Sequence, residues 1–117
     1  MKKIFLALVL ILGTITSQAQ SDKTVAKFKV NGNCEMCKVR IEKAANAVDG
    51  VFKANWNVGT KVIKVVYDST TTNLTAIHES ISNMGYKTET LAAKQEGYNA
   101  LPSCCKVKGA LEAPKKE

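Results

Sequence analysis

The hydrophobic period of this chain changes abruptly near residue 34, and that change limits the available folds more than any other feature. Residues 24–30 (TVAKFKV) alternate, with Ala26, Phe28 and Val30 on one side, as a half-buried strand does. The run stops at Asn31-Gly32-Asn33, three residues that favour turns. From Met36 the spacing lengthens: Cys37, Ile41, Ala44, Ala45 and Val48 recur as on a helix, until Asp49-Gly50 ends the run. A strand therefore passes through a short turn straight into a helix.

The same two periods recur in another order. Residues 51–56 (VFKANW) alternate again, with Phe52, Ala54 and Trp56 or their opposites facing inward. After Asn57-Val58-Gly59-Thr60, residues 61–67 place Ile63, Val65 and Tyr67 on one face, which predicts a hairpin. Asp68, Thr70, Thr71 and Thr72 offer N-caps for a second helix with an apolar stripe of Leu74, Ile77, Ile81 and Met84, closed by Gly85. Residues 86–91 predict a last short strand. The order β-α-β-β-α-β predicts an α+β, ferredoxin-like sandwich with a four-stranded antiparallel sheet and both helices on one face.

The chain's two ends have a different character. Lys2 and Lys3, an apolar stretch from Ile4 to Leu12, and small residues at Ser17 and Ala19 have the make-up of a secretory signal peptide, residues 1–19, cleaved after Ala19. The mature protein is expected in the periplasm or secreted, with no membrane insertion after cleavage. Residues 24–91 then form one domain, and residues 92–117 form an extension that carries Cys104 and Cys105, with a charged, frayed end. Loss of Lys2 and Lys3 lowers the formal charge from +7 to about +5. The remaining lysines are scattered without interleaved aromatics, so no nucleic-acid partner is expected.

Four cysteines in an exported chain ordinarily mean two disulfides, but one CxxC and one adjacent CC suggest another use. Cys34 and Cys37 lie three residues apart around a first helical turn and can bring both sulfurs to one ion. Two thiolates make a soft site of low coordination that suits Cu(I) and, by the same softness, Hg(II). Zn(II) wants two further ligands that the loop does not offer. The helix N-terminus directs unpaired N–H groups and a partial positive charge at the sulfurs, and Lys38, Arg40 and Lys87 are placed to add positive charge.

These residues resemble the heavy-metal-associated domain found in small copper chaperones, mercury-binding periplasmic proteins and metal-pumping ATPases. The resemblance rests on Gly32, Cys34 and Cys37 in GNCEMC, the following KVRIEKAANAVDGV, VVYD at 65–68, and Gly85-Tyr86, and it covers about residues 24–91. Members commonly carry a Met and one more residue before the first Cys, where this chain runs Gly32-Asn33-Cys34 directly. The resemblance implies a monomeric, non-enzymatic carrier of Cu(I), with Hg(II) as the alternative ion. Its partner would be a metal-transporting ATPase or another thiol-rich protein, and Tyr86 would lie beside the metal loop.

Two rivals share the CxxC. A thiol-disulfide oxidoreductase needs a cis-proline beside its active pair, yet no proline occurs between Cys37 and Pro102. A disulfide-bonded binding module would hold both pairs oxidised. Met36 reads as loop packing, and His78, off the apolar stripe, as a surface residue. Cys104 and Cys105 are possible additional ligands, if the extension travels back about one strand length, roughly 20 Å, from the far end of the sheet. Pro102 would end a helix there and turn the cysteines inward.

Overall fold

The computed structural model describes residues 22–114, so residues 1–19, expected to be a signal peptide, lie outside the described residues. The elements are β1 (Lys23–Lys29), α1 (Glu35–Asn46), β2 (Val51–Trp56), β3 (Val62–Asp68), α2 (Leu74–Asn83) and α3 (Gln95–Ala100), followed by a 3-10 turn at Ser103–Cys105. The strands form one antiparallel sheet in the order β1-β3-β2. Its register sets Ile63 between Phe28 and Trp56, and Val65 between Ala26 and Ala54. The alternation read from the sequence thus becomes a buried layer of Phe28, Val30, Trp56, Ile63, Val65 and Tyr67. Lys27, Lys53, Asn55 and Lys64 are exposed. Register shifts between Val51 and Lys53, and Phe52 stands 50% exposed, outside the core, with the Lys23 ammonium 5.5 Å from its ring centre.

Helix α1 buries Cys37, Ile41, Ala44 and Ala45, and α2 buries Ile77, His78, Ile81 and Ser82. The Ser80 hydroxyl joins them by donating to the Ala44 carbonyl at 2.6 Å. Asn73, not Asp68 or the threonines, caps α2: its side chain accepts from the Ala76 N–H at 2.9 Å. Asp68 instead accepts from the hydroxyl and N–H of Thr70 and from the hydroxyl of Thr71, which hold its carboxyl below the usual range.

The sheet has three strands where four were expected. Residues 86–91 meet β1 only through a bridge between Val30 and Thr88, flanked by hydrogen bonds from the Asn31 N–H to the Lys87 carbonyl (2.9 Å) and from the Glu89 N–H to the Lys29 carbonyl (3.0 Å). Thr88 is the cause. Its hydroxyl accepts from the N–H groups of Thr90 and Leu91, and its own N–H donates to the Leu91 carbonyl, so the chain turns back instead of running along β1.

That early turn also corrects the expected path of the extension, which starts beside the end of β1 and has no strand length to retrace. It docks on the C-terminal end of α2. The Ser82 hydroxyl donates to the Ala92 carbonyl at 2.6 Å, and the Lys94 N–H donates to the Ser82 carbonyl at 2.9 Å. Gly85 and Gly97 then meet backbone to backbone; a Cβ on Gly97 would stand 2.7 Å from the Gly85 nitrogen and overlap the Asn83 carbonyl. The segment after Cys105, expected to fray, folds back: the Ala93 N–H donates to the Ala110 carbonyl at 2.8 Å, and Ala110 is buried.

Candidate metal site

Cys34 is the N-cap residue of α1, in extended backbone conformation, and its carbonyl accepts the first helical hydrogen bond from the Lys38 N–H at 3.0 Å. Cys37 follows one turn later, fully buried, with its Sγ 3.9 Å from that of half-buried Cys34. The strand reaches this position by passing close over the core at Gly32, where a Cβ would lie 2.9 Å from both Ile41 Cδ1 and Trp56 Cη2. Below it the Trp56 indole N–H is shared between the carbonyls of Val30 (3.0 Å) and Lys61 (3.1 Å), which fixes the end of β1. The first-turn N–H groups of α1 have no intrahelical acceptors and favour negative charge at the two sulfurs. Lys38 adds little there, because its ammonium is drawn to Glu42 (3.8 Å) and Asn55 (3.5 Å).

The extension brings the other two thiols to the same place. Cys105 is fully buried with its Sγ 3.0 Å from that of Cys37, and exposed Cys104 has its Sγ 4.0 Å from that of Cys105. The sulfurs of Cys34, Cys104 and Cys105 all lie within 4.8 Å of one another. Asn33 ties the loop to the extension, its side-chain N–H donating to the Cys104 carbonyl at 3.1 Å. Met36, 49% exposed, has its Sδ 3.9 Å from the Cys104 sulfur.

Tyr86 is buried beside this cluster, and its hydroxyl has no aligned hydrogen-bond partner. Burial first, then the facing sulfurs of Cys105 and Cys37, push its ionisation far above the ordinary range, so it stays a neutral phenol. His78 is a correction: it is buried, not on the surface, stacked on Phe28 at 3.9 Å between ring centres, with Nδ1 2.7 Å from the Thr88 hydroxyl. The sequence gives no sign of the Asn33 link or of the Gly85–Gly97 contact, since each depends on a residue far along the chain.

Paired thiols at a helix N-terminus, on the loop that leaves the first strand of an α+β sandwich, define a class of small soft-metal-binding domains. The chain belongs to the heavy-metal-associated domain family, whose match runs over residues 27–87. The mercuric transport protein periplasmic component of Shewanella putrefaciens is 34% identical over 86 residues, covering 74% of this chain and 93% of that protein. Among solved structures, the CopZ metallochaperone aligns at 29% identity with a TM-score of 0.54, over 56% of this chain and 98% of its own. The water-soluble region of the P-type ATPase CopA from Bacillus subtilis aligns at 35% identity with a TM-score of 0.56, over 62% of this chain and 49% of that one. No helix among the described residues is long and apolar enough to cross a membrane.

Proposed function

We propose that this is an exported carrier of one soft cation, Cu(I) in the first place, captured by Cys34 and Cys37 and passed to another thiol-rich protein, such as a metal-transporting ATPase. The observation that carries the reading is the pair of sulfurs 3.9 Å apart at the N-terminus of α1. Binding releases the two thiol protons, and the helix N-terminus offsets the net negative charge of a dithiolate on a monovalent ion. Such an ion keeps open coordination positions, so an incoming thiolate attacks before an old one leaves. The protein acts as a monomer with no chemical step beyond ligand exchange, and its basic surface favours encounter with an acidic docking face.

Hg(II) is the second reading. It is favoured by the relative from Shewanella putrefaciens, which is matched over nearly its whole length and whose name places it in mercuric transport and in the periplasm. Anaerobic titration of the reduced protein with Cu(I), Hg(II) and Zn(II) against competing chelators separates the two. Cu(I) or Hg(II) should be held far more tightly than Zn(II), and the Cys34→Ser/Cys37→Ser variant should lose that preference. Tighter retention of Zn(II) would defeat the proposal.

A further inference from the structure

We propose that Cys104 and Cys105 are metal ligands in their own right and that, together with Cys34, they form a three-thiolate site for a soft d10 cation. The inference rests on the metal-carrying reading above and extends it from a two-sulfur loop to a closed cluster.

Three observations carry it. The first is the convergence of three sulfurs within 4.8 Å of one another, from residues 70 positions apart in the chain. With metal–thiolate bonds of about 2.3 Å, two sulfurs in a linear site stand about 4.6 Å apart and three in a plane about 4.0 Å apart. The 4.0 Å between Cys104 and Cys105 is the planar spacing. The second is that the extension is bolted down. Hydrogen bonds at Ser82, the Gly85–Gly97 contact, the buried side chain of Leu101 and the Asn33 bond to the Cys104 carbonyl all hold it over the loop. The third is the place of Cys37. Its sulfur lies 3.0 Å from that of Cys105, and two sulfurs so close would subtend only about 80° at one ion with such bonds, well below tetrahedral or planar angles.

Cys37 and Cys105 therefore serve the ion in turn. The ion enters on Cys34 and Cys37; then the bond to Cys37 breaks, the bond to Cys105 forms, and the proton leaving Cys105 passes to Cys37, with no change in net charge. Cys37 remains as a buried S–H donor to the Cys105 thiolate, a contact that steadies a ligating sulfur. Exposed Cys104 completes the set, giving its proton to solvent as its bond to the ion forms, and is the sulfur through which the ion leaves.

The test loads the reduced full chain anaerobically with one equivalent of Hg(II), counts sulfur ligands by X-ray absorption, and measures retention against a competing small thiol. Three sulfurs are expected in the unmodified protein and two in Cys104→Ser, an exposed position where the fold, checked by circular dichroism, is kept. Retention should fall by about a hundredfold in Cys104→Ser, the scale on which an extra tethered contact acts. The Cys104→Ser/Cys105→Ser variant should match the single variant or fall further. Two sulfurs in the unmodified protein, or equal retention in Cys104→Ser, overturns the three-thiolate site and leaves the Cys34–Cys37 reading standing. A Cys105 disulfide found by mass mapping of the metal-loaded protein also overturns it. No retention of Hg(II) or Cu(I) by any form overturns both.

Discussion

His78 and Tyr86 show how the setting of a single side chain decides its chemistry. The Tyr86 hydroxyl, enclosed by the core and two sulfurs, adds no charge to the thiol cluster and serves as a wall that excludes water. His78 is desolvated between the Phe28 ring and the Thr88 hydroxyl, which pulls its pKa below the ordinary 6.5 more than the Glu89 carboxylate raises it. Folding thus favours the neutral ring, and in acid the unfolded chain binds a proton that the folded chain refuses. Stability from this source is full above about pH 6.5 and declines as pH falls towards the lower folded value. Urea midpoints of the reduced apoprotein should drop between about pH 7.5 and about pH 5.5, and His78→Gln should flatten that drop. Parallel slopes for the two proteins would remove His78 as the cause. The sequence could not reveal this burial, because the inward face of α2 is wider than its Leu74, Ile77, Ile81 stripe and takes in the neighbouring positions His78 and Ser82.

At the scale of elements, the decisive joint is the crossing of Gly85 and Gly97. No side chain fits where α3 meets the end of α2, so Gly97→Ala must push the extension away. The expected loss is about 1–3 kcal/mol, the usual range for overpacking, read by chemical denaturation. Cys105, now buried, should react faster with a thiol reagent in that variant. Unchanged reactivity would mean that the extension is held elsewhere. Both helices and the first three strands were legible in the sequence because each buries one face, which forces a period of 2 or 3.6 into its residues. The pairing of Cys34 with Cys37 was legible for a similar reason, since their spacing is local. The fourth strand was misread because residues 86–91 alternate acceptably while the Thr88 hydroxyl diverts the backbone, an effect periodicity does not record. Helix α3 has no apolar stripe and no buried residue, so its only sign in the sequence is Pro102, which would end a helix there.

At the scale of the whole molecule, the described residues form a sheet layered with two helices and closed at one end by the extension after residue 91, so all four thiols gather at that end. Shortening of the expected fourth strand to the Val30–Thr88 bridge has a consequence for how copies of the protein meet. Most of β1 is left as a bare rim whose outer backbone pairs with no strand among the described residues. Such a rim is a template for another chain, and this one is guarded by exposed Lys23, Lys27 and Lys29, whose like charges oppose edge-to-edge approach. Lys27→Thr/Lys29→Thr should leave the monomer folded yet make its sedimentation depend on concentration. Sedimentation that stays flat across that range would show that the lysines are not what keeps the rim apart. Electrostatic guarding weakens as salt rises, so crowded, saline surroundings would press hardest on colloidal behaviour along this one strand.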